Sequence, residues 1–100
     1  MMSEQEKIIK IAEFYKQPNQ LIKTIEECSE LIQVCCKLRQ VEYFDSAEKY
    51  ENLLKCLSSE IADVEIMIVQ LKYLFSLSEE VEREKKNKLY RQLKRIGEIR

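Results

Sequence analysis

One hundred residues set the scale of a single domain and leave no room for a multi-domain architecture. Apolar residues make up 45% of the chain and charged residues 35%, too apolar for intrinsic disorder and too charged for a membrane protein, while one Gly and one Pro argue against hairpin-rich β folds. The net charge is −1, but Glu82 to Arg100 holds eight Lys and Arg against three Glu, so an acidic body at −6 precedes a basic tail.

The composition predicts an all-α fold. A first helix runs from about Ser3 to Tyr15, with Ile8, Ile9, Ile11, Ala12 and Tyr15 on one face. Lys16 to Asn19, containing Pro18, breaks it. A second helix follows to about Gln40, and the 3.6 period gives it a buried face of Leu21, Ile25, Cys28, Ile32 and Cys35, with Ile22, Leu31 and Leu38 beside it. After a polar connection from Val41 to Asp45, a third helix begins between Ser46 and Leu53 and extends to about Phe75. Its middle, Ile66 to Val69, is apolar around the whole circumference, which suggests contacts both inside the protomer and with a partner copy, a homo-oligomer. Ser76 to Glu80 reads as a break followed by a capped start, with Ser at the cap and acids in the first turn. The fourth helix would continue to about Ile99, with Leu89, Leu93 and Ile96 as an apolar seam and Lys88, Arg91 and Arg95 as a basic stripe.

No His is present. His-based triads, His-containing zinc sites and the Glu-x-x-His di-iron motif are therefore excluded. Cys28, Cys35, Cys36 and Cys56 contain no C-x-x-C pair, and no charged-then-apolar signal opens the chain, so a reduced, cytoplasmic setting is expected. Three of these cysteines lie at core spacing and read as small buried hydrophobes. Ile61 to Leu77 is the most apolar stretch, but Asp63, Glu65 and Lys72 interrupt it and it falls short of a membrane span.

The acidic residues carry the chemistry. In the second helix Gln20, Lys23, Glu27 and Glu30 recur at i, i+3, i+7 and i+10 with Glu26 close by, which places them on one face. Glu27 and Glu30 lie about 4.5 Å apart along the axis, a spacing that lets two carboxylates reach one hard cation. Acid pairs at this spacing are also common on solvated faces. Glu60 and Asp63 repeat the spacing inside the most apolar helix, among Leu57, Ile61, Ala62, Val64 and Met67, and their stripe continues through Cys56, Met67 and Gln70, expected to be largely buried. Like charges in apolar surroundings repel and lose hydration, so they need a cation, shifted pKa values or salt bridges to the basic last helix. Without His or paired Cys, an all-oxygen ligand set points to Mg²⁺ or Mn²⁺.

E-E-C-S-E at Glu26 to Glu30 followed by E-I-A-D at Glu60 to Asp63 resembles the E-E-x-x-E and E-x-x-D signature of the MazG-like all-α nucleoside triphosphate pyrophosphohydrolases, and the likeness spans roughly Gln20 to Arg95. Twenty-nine residues separate Glu30 from Glu60, at or slightly beyond the usual upper end for this signature, which a longer inter-helix connection would absorb. The resemblance implies a four-helix MazG-like bundle completed by dimer or tetramer formation. It also implies Mg²⁺-dependent hydrolysis of an NTP or dNTP to the monophosphate and pyrophosphate. At the matching positions it assigns metal ligation to Glu27, Glu30, Glu60 and Asp63. Glu26 is the candidate for orienting or deprotonating the attacking water, Lys23, Lys88, Arg91 and Arg95 for contacting phosphate oxygens, and Gln20 for contacting base or sugar.

Two other readings compete. A non-enzymatic helical interaction or regulatory module would pair its carboxylates with lysines, but it gains nothing from placing Glu60 and Asp63 among Ile, Ala and Val. Nucleic-acid binding through the last helix ranks below both, because only Tyr90 interleaves an aromatic ring with the positive charges and the body is acidic.

Overall fold

The computed structural model describes residues 1–41 and 46–100 and is all-helical among them. Three helices follow one another: α1 (Glu4–Arg39), α2 (Ala47–Leu74) and α3 (Ser78–Arg95). Most of the expected connection before α2 lies outside the described residues.

α1 begins where expected. The Ser3 side chain accepts from the Glu6 N–H at 3.1 Å, with Glu4 and Glu6 in the first turn facing the positive end of the helix dipole. The break expected at Lys16 to Asn19 is there: Lys16 sits at φ 70°, ψ 169°, outside helical space, and two helical stretches of α1 meet at this kink, with Pro18 in the second. Asn19 Nδ2 clasps the bend by donating to the Tyr15 carbonyl at 2.7 Å, and Gln17 Nε2 donates to the Leu74 carbonyl at 2.8 Å. Lys16 occupies a region of backbone space that is essentially reserved for glycine and costs about 1–3 kcal/mol. Lys16→Gly should therefore raise stability by about 1 kcal/mol after allowing for the freer unfolded chain. Chemical denaturation measures this, and a lower midpoint would show that the backbone there is unstrained.

α2 starts at the Ser46 cap, whose Oγ accepts from the Lys49 N–H at 3.1 Å. It ends in a left-handed cap at Ser76 (φ 56°), with the Leu77 N–H bonded to the Lys72 carbonyl at 2.9 Å. α3 then begins without the expected serine cap, since Leu77 holds the cap position and Ser78 is already helical. It also stops short of Ile99. Gly97 (φ 85°) closes it, the Glu98 N–H bonding to the Leu93 carbonyl at 3.0 Å, because glycine alone takes that conformation without a Cβ penalty.

α1 and α2 pack as an antiparallel hairpin, with Gln17 against Leu74 and Gln20 against Gln70. α3 touches α2 alone and buries no residue of its own. The apolar core is small: Ile8, Ala12, Val34 and Met67. The inward face of α1 corrects the periodicity. Gln20, Glu27 and Val34 are buried, whereas Leu21, Ile25, Ile32 and Cys35 are exposed and Cys28 is half-buried. The polar line turns toward α2 and the apolar line turns outward. Cys36 and Cys56 are exposed too, so the cysteines do not serve as buried hydrophobes in this chain. Met67 and Gln70 are buried as expected, although Cys56 on the same stripe is not. No helix among the described residues is long and apolar enough to cross a membrane.

Candidate metal centre

The antiparallel register sets Glu27 beside Asp63 and Glu30 beside Glu60. Because the i, i+3 pairs run in opposite directions on the two helices, four carboxylates converge, each offering one oxygen within 4.8 Å of the others.

Burial makes the cluster unusual. Glu27 is 6% exposed, Glu60 and Asp63 are half-buried, and Glu30 lies at the open edge. Glu27 Oε1 pairs with Lys23 Nζ at 3.0 Å, while Glu27 Oε2 and Glu60 Oε2 are sealed from solvent without a partner among the described residues. Buried oxygens bearing negative charge are costly to leave unpaired. A divalent cation would satisfy both and suits an all-carboxylate donor set. Salt bridges to the basic last helix do not fill this role: among the described residues the ion pairs of α3 run to its own Glu80 and Glu82, and the cation paired with the cluster is Lys23.

The proton affinities follow. Burial, then the Glu30 carboxylate, raises Glu60 above its ordinary 4.5. Burial, then Glu27, raises Asp63 above 3.8, with Lys23 opposing. The bond to Glu27 raises Lys23. Without metal, the folded protein keeps protons on Glu60 and Asp63 that the unfolded chain has already released. The two groups therefore cost nothing below their ordinary values and destabilise the fold increasingly as pH rises toward the raised ones. In EDTA, the contribution of these groups to the melting temperature should fall as pH rises above their ordinary values of 4.5 and 3.8, and Glu60→Gln should flatten that slope. A metal-free melting temperature that climbs with pH and ignores Glu60→Gln would contradict the repulsion.

A cleft of about 550 Å³ opens beside the cluster. Its lining includes Glu27 and Asp63 of the cluster, Lys23 and Glu26 beside them, and Gln20 with Gln70 seven residues along each helix. Glu26 is largely exposed and lies 3.9 Å from Lys23 Nζ. Of the residues singled out in the sequence, Gln20, Lys23, Glu26, Glu27, Glu30, Glu60 and Asp63 are thus brought together at or beside the cleft. Lys88, Arg91 and Arg95 are not: they lie exposed on α3, outside the lining. Tyr15, Asn19 and Met67 line the cleft without having been singled out for it. Tyr15 reaches it because the Lys16 bend folds the first segment back over α2, which helical periodicity does not encode. No family model matches the chain, and no curated protein or solved structure is significantly similar to it.

Proposed function

We propose that this chain is a Mg²⁺-dependent nucleoside triphosphate pyrophosphohydrolase of the MazG-like kind, acting on cytoplasmic nucleotides as a homo-oligomeric helical bundle. The observation that carries the reading is the convergence of Glu27, Glu30, Glu60 and Asp63 beside an open cleft, with two sealed carboxylate oxygens that have no hydrogen-bond partner among the described residues. These four residues hold Mg²⁺, or Mn²⁺ in its place. When bound, the ion supplies positive charge to the phosphate chain and polarises the phosphorus.

The remaining roles fall to the rim. Glu26 faces solvent at the cleft edge, placed to orient a water and take its proton as the water oxygen bonds to phosphorus. The α–β anhydride bond breaks, its electron pair leaves with the departing phosphate group, and the products are the monophosphate and pyrophosphate. Lys23 balances Glu27 and offers a cation to phosphate oxygens at the same rim. A panel of nucleoside triphosphates incubated with Mg²⁺, with pyrophosphate and orthophosphate assayed separately, tests the reading. Metal-dependent release of pyrophosphate supports it, and release of neither product from any of them overturns it.

The basic stripe of α3 lies off the cleft of its own chain, so Lys88, Arg91 and Arg95 reach triphosphate only when a second copy delivers them. Arg91→Ala should then raise the Michaelis constant or lower turnover about tenfold with little loss of stability, because water does not replace a guanidinium that reaches two phosphate oxygens. Mixing Arg91→Ala with Asp63→Asn protein should restore part of the activity, since one mixed site carries both native residues. Unchanged kinetic constants for Arg91→Ala would return the stripe to solvent.

A further inference from the structure

The largest fully buried side chain among the described residues is polar. Gln70, 1% exposed, lies on α2 and accepts a 2.6 Å hydrogen bond through Oε1 from Gln20 Nε2, itself buried on α1. An amide offers two donors and two acceptor sites, so this single bond leaves Gln70 with its N–H groups and Gln20 with its carbonyl oxygen. Neither of those atoms has another partner among the described residues, and neither is among the sealed, unsatisfied atoms. Both residues line the cleft. The pair therefore presents a donor beside an acceptor to the cleft, and exchanging the oxygen and nitrogen of both amides preserves that pattern.

Position adds to chemistry. Gln20 precedes Glu27 by seven residues, and Gln70 follows Asp63 by seven. On both helices the amide thus lies about 10 Å, or two turns, from the acid cluster, matching the reach of a nucleoside from its base edge to its 5′ phosphate. Tyr15, Ile66 and Met67 flank the pair with apolar and aromatic surface, the surroundings in which a planar base stacks.

We propose that the Gln20–Gln70 amide pair is the base-reading element of this cleft, hydrogen-bonding the edge of a nucleobase whose triphosphate extends to the acid cluster. The assignment rests on the nucleotide reading above and adds Gln70 as a specificity-determining residue. A clasp that merely fixed the helix register would affect every nucleotide alike. A base reader changes the ratios between them.

The test measures kcat/KM for ATP, GTP, CTP and UTP with Mg²⁺. Gln70→Met keeps the volume and removes the hydrogen bonds, and should narrow the ratio between best and worst base at least tenfold, the scale of one lost two-point base contact. Gln70→Glu replaces the donor with an acceptor and should shift preference toward guanine, whose edge alone carries two adjacent donors. Ratios unchanged in both variants, with hydrolysis retained, overturn the base assignment and leave the enzymatic reading standing. Calorimetric titration of the metal-free chain with the four free nucleosides separates the two claims. Binding that Gln70→Met weakens supports the amide pair even if no triphosphate is hydrolysed, and absence of binding to any nucleoside overturns it.

Discussion

Asp63→Asn is expected to lower turnover at least a hundredfold and to weaken Mg²⁺ binding, while the metal-free protein stays as stable as its parent or becomes more so. A catalytic divalent ion is worth several kcal/mol of charge stabilisation, and each 1.4 kcal/mol is about tenfold in rate. Asp63 faces Glu27 across the hairpin, and the two contribute carboxylates from different helices to one cluster. Removing the charge of Asp63 breaks the ligand set and also relieves its repulsion with Glu27, so activity and metal-free stability should move in opposite directions. A variant that simply misfolds loses both. Glu27→Gln should behave similarly in activity, with less gain in stability because the Lys23 ion pair at 3.0 Å is lost as well. Isothermal titration with Mg²⁺ and thermal melts in EDTA report the two effects separately. Near-normal turnover in Asp63→Asn would remove the metal assignment.

The acid cluster was legible because its spacing is a helix property: residues three apart share a face whatever packs against it. The pairs alone would converge on parallel as well as antiparallel helices, and it is the hairpin of the structure that opposes Glu27 to Asp63 and Glu30 to Glu60. Ser3 and Pro18 marked the first helix start and the break through local chemistry that tertiary packing does not override, while the start of α2, open in the sequence between Ser46 and Leu53, falls at its first candidate. The inward face of α1 was not legible in this way. Periodicity assigns the interior to Leu21, Ile25, Ile32 and Cys35, and the hairpin instead buries Gln20, Glu27 and Val34. Apolar residues gather on whichever face leaves water, and periodicity does not say whether the neighbour is the same chain or another. The end of α3 was misplaced for a simpler reason. Helical periodicity runs on through Ile96 and Ile99, and the single glycine at Gly97 stops it.

That outward apolar surface leads to the second large effect, an obligate homo-oligomer. Among the described residues four hydrophobic ones are buried, while Ile25 (69%), Ile32 (61%) and Ile68 (44%) are among many large ones that remain exposed. The radius of gyration is 17.3 Å, against about 13 Å for a compact domain of this length. α3 stands against the hairpin with its Leu89, Leu93 and Ile96 seam uncovered. Ile25 and Ile32 are seven residues apart on α1, as are Ile61 and Ile68 on α2, so each helix presents a continuous apolar line to a partner. Each such side chain is worth about 1.5–3 kcal/mol when buried, and a two-fold interface counts each one twice, enough to exceed the cost of association. Light scattering at micromolar concentration should give two or four times the 12.0 kDa chain mass. Ile25→Glu and Ile68→Glu should each weaken association at least a thousandfold, because every copy then places a charge where it had offered an apolar contact. Activity should fall together with assembly if, as proposed, Arg91 meets the cleft from another copy. A wild-type chain that scatters as 12.0 kDa and hydrolyses triphosphate at full rate would show that the apolar surface has no part in assembly or in completing the site.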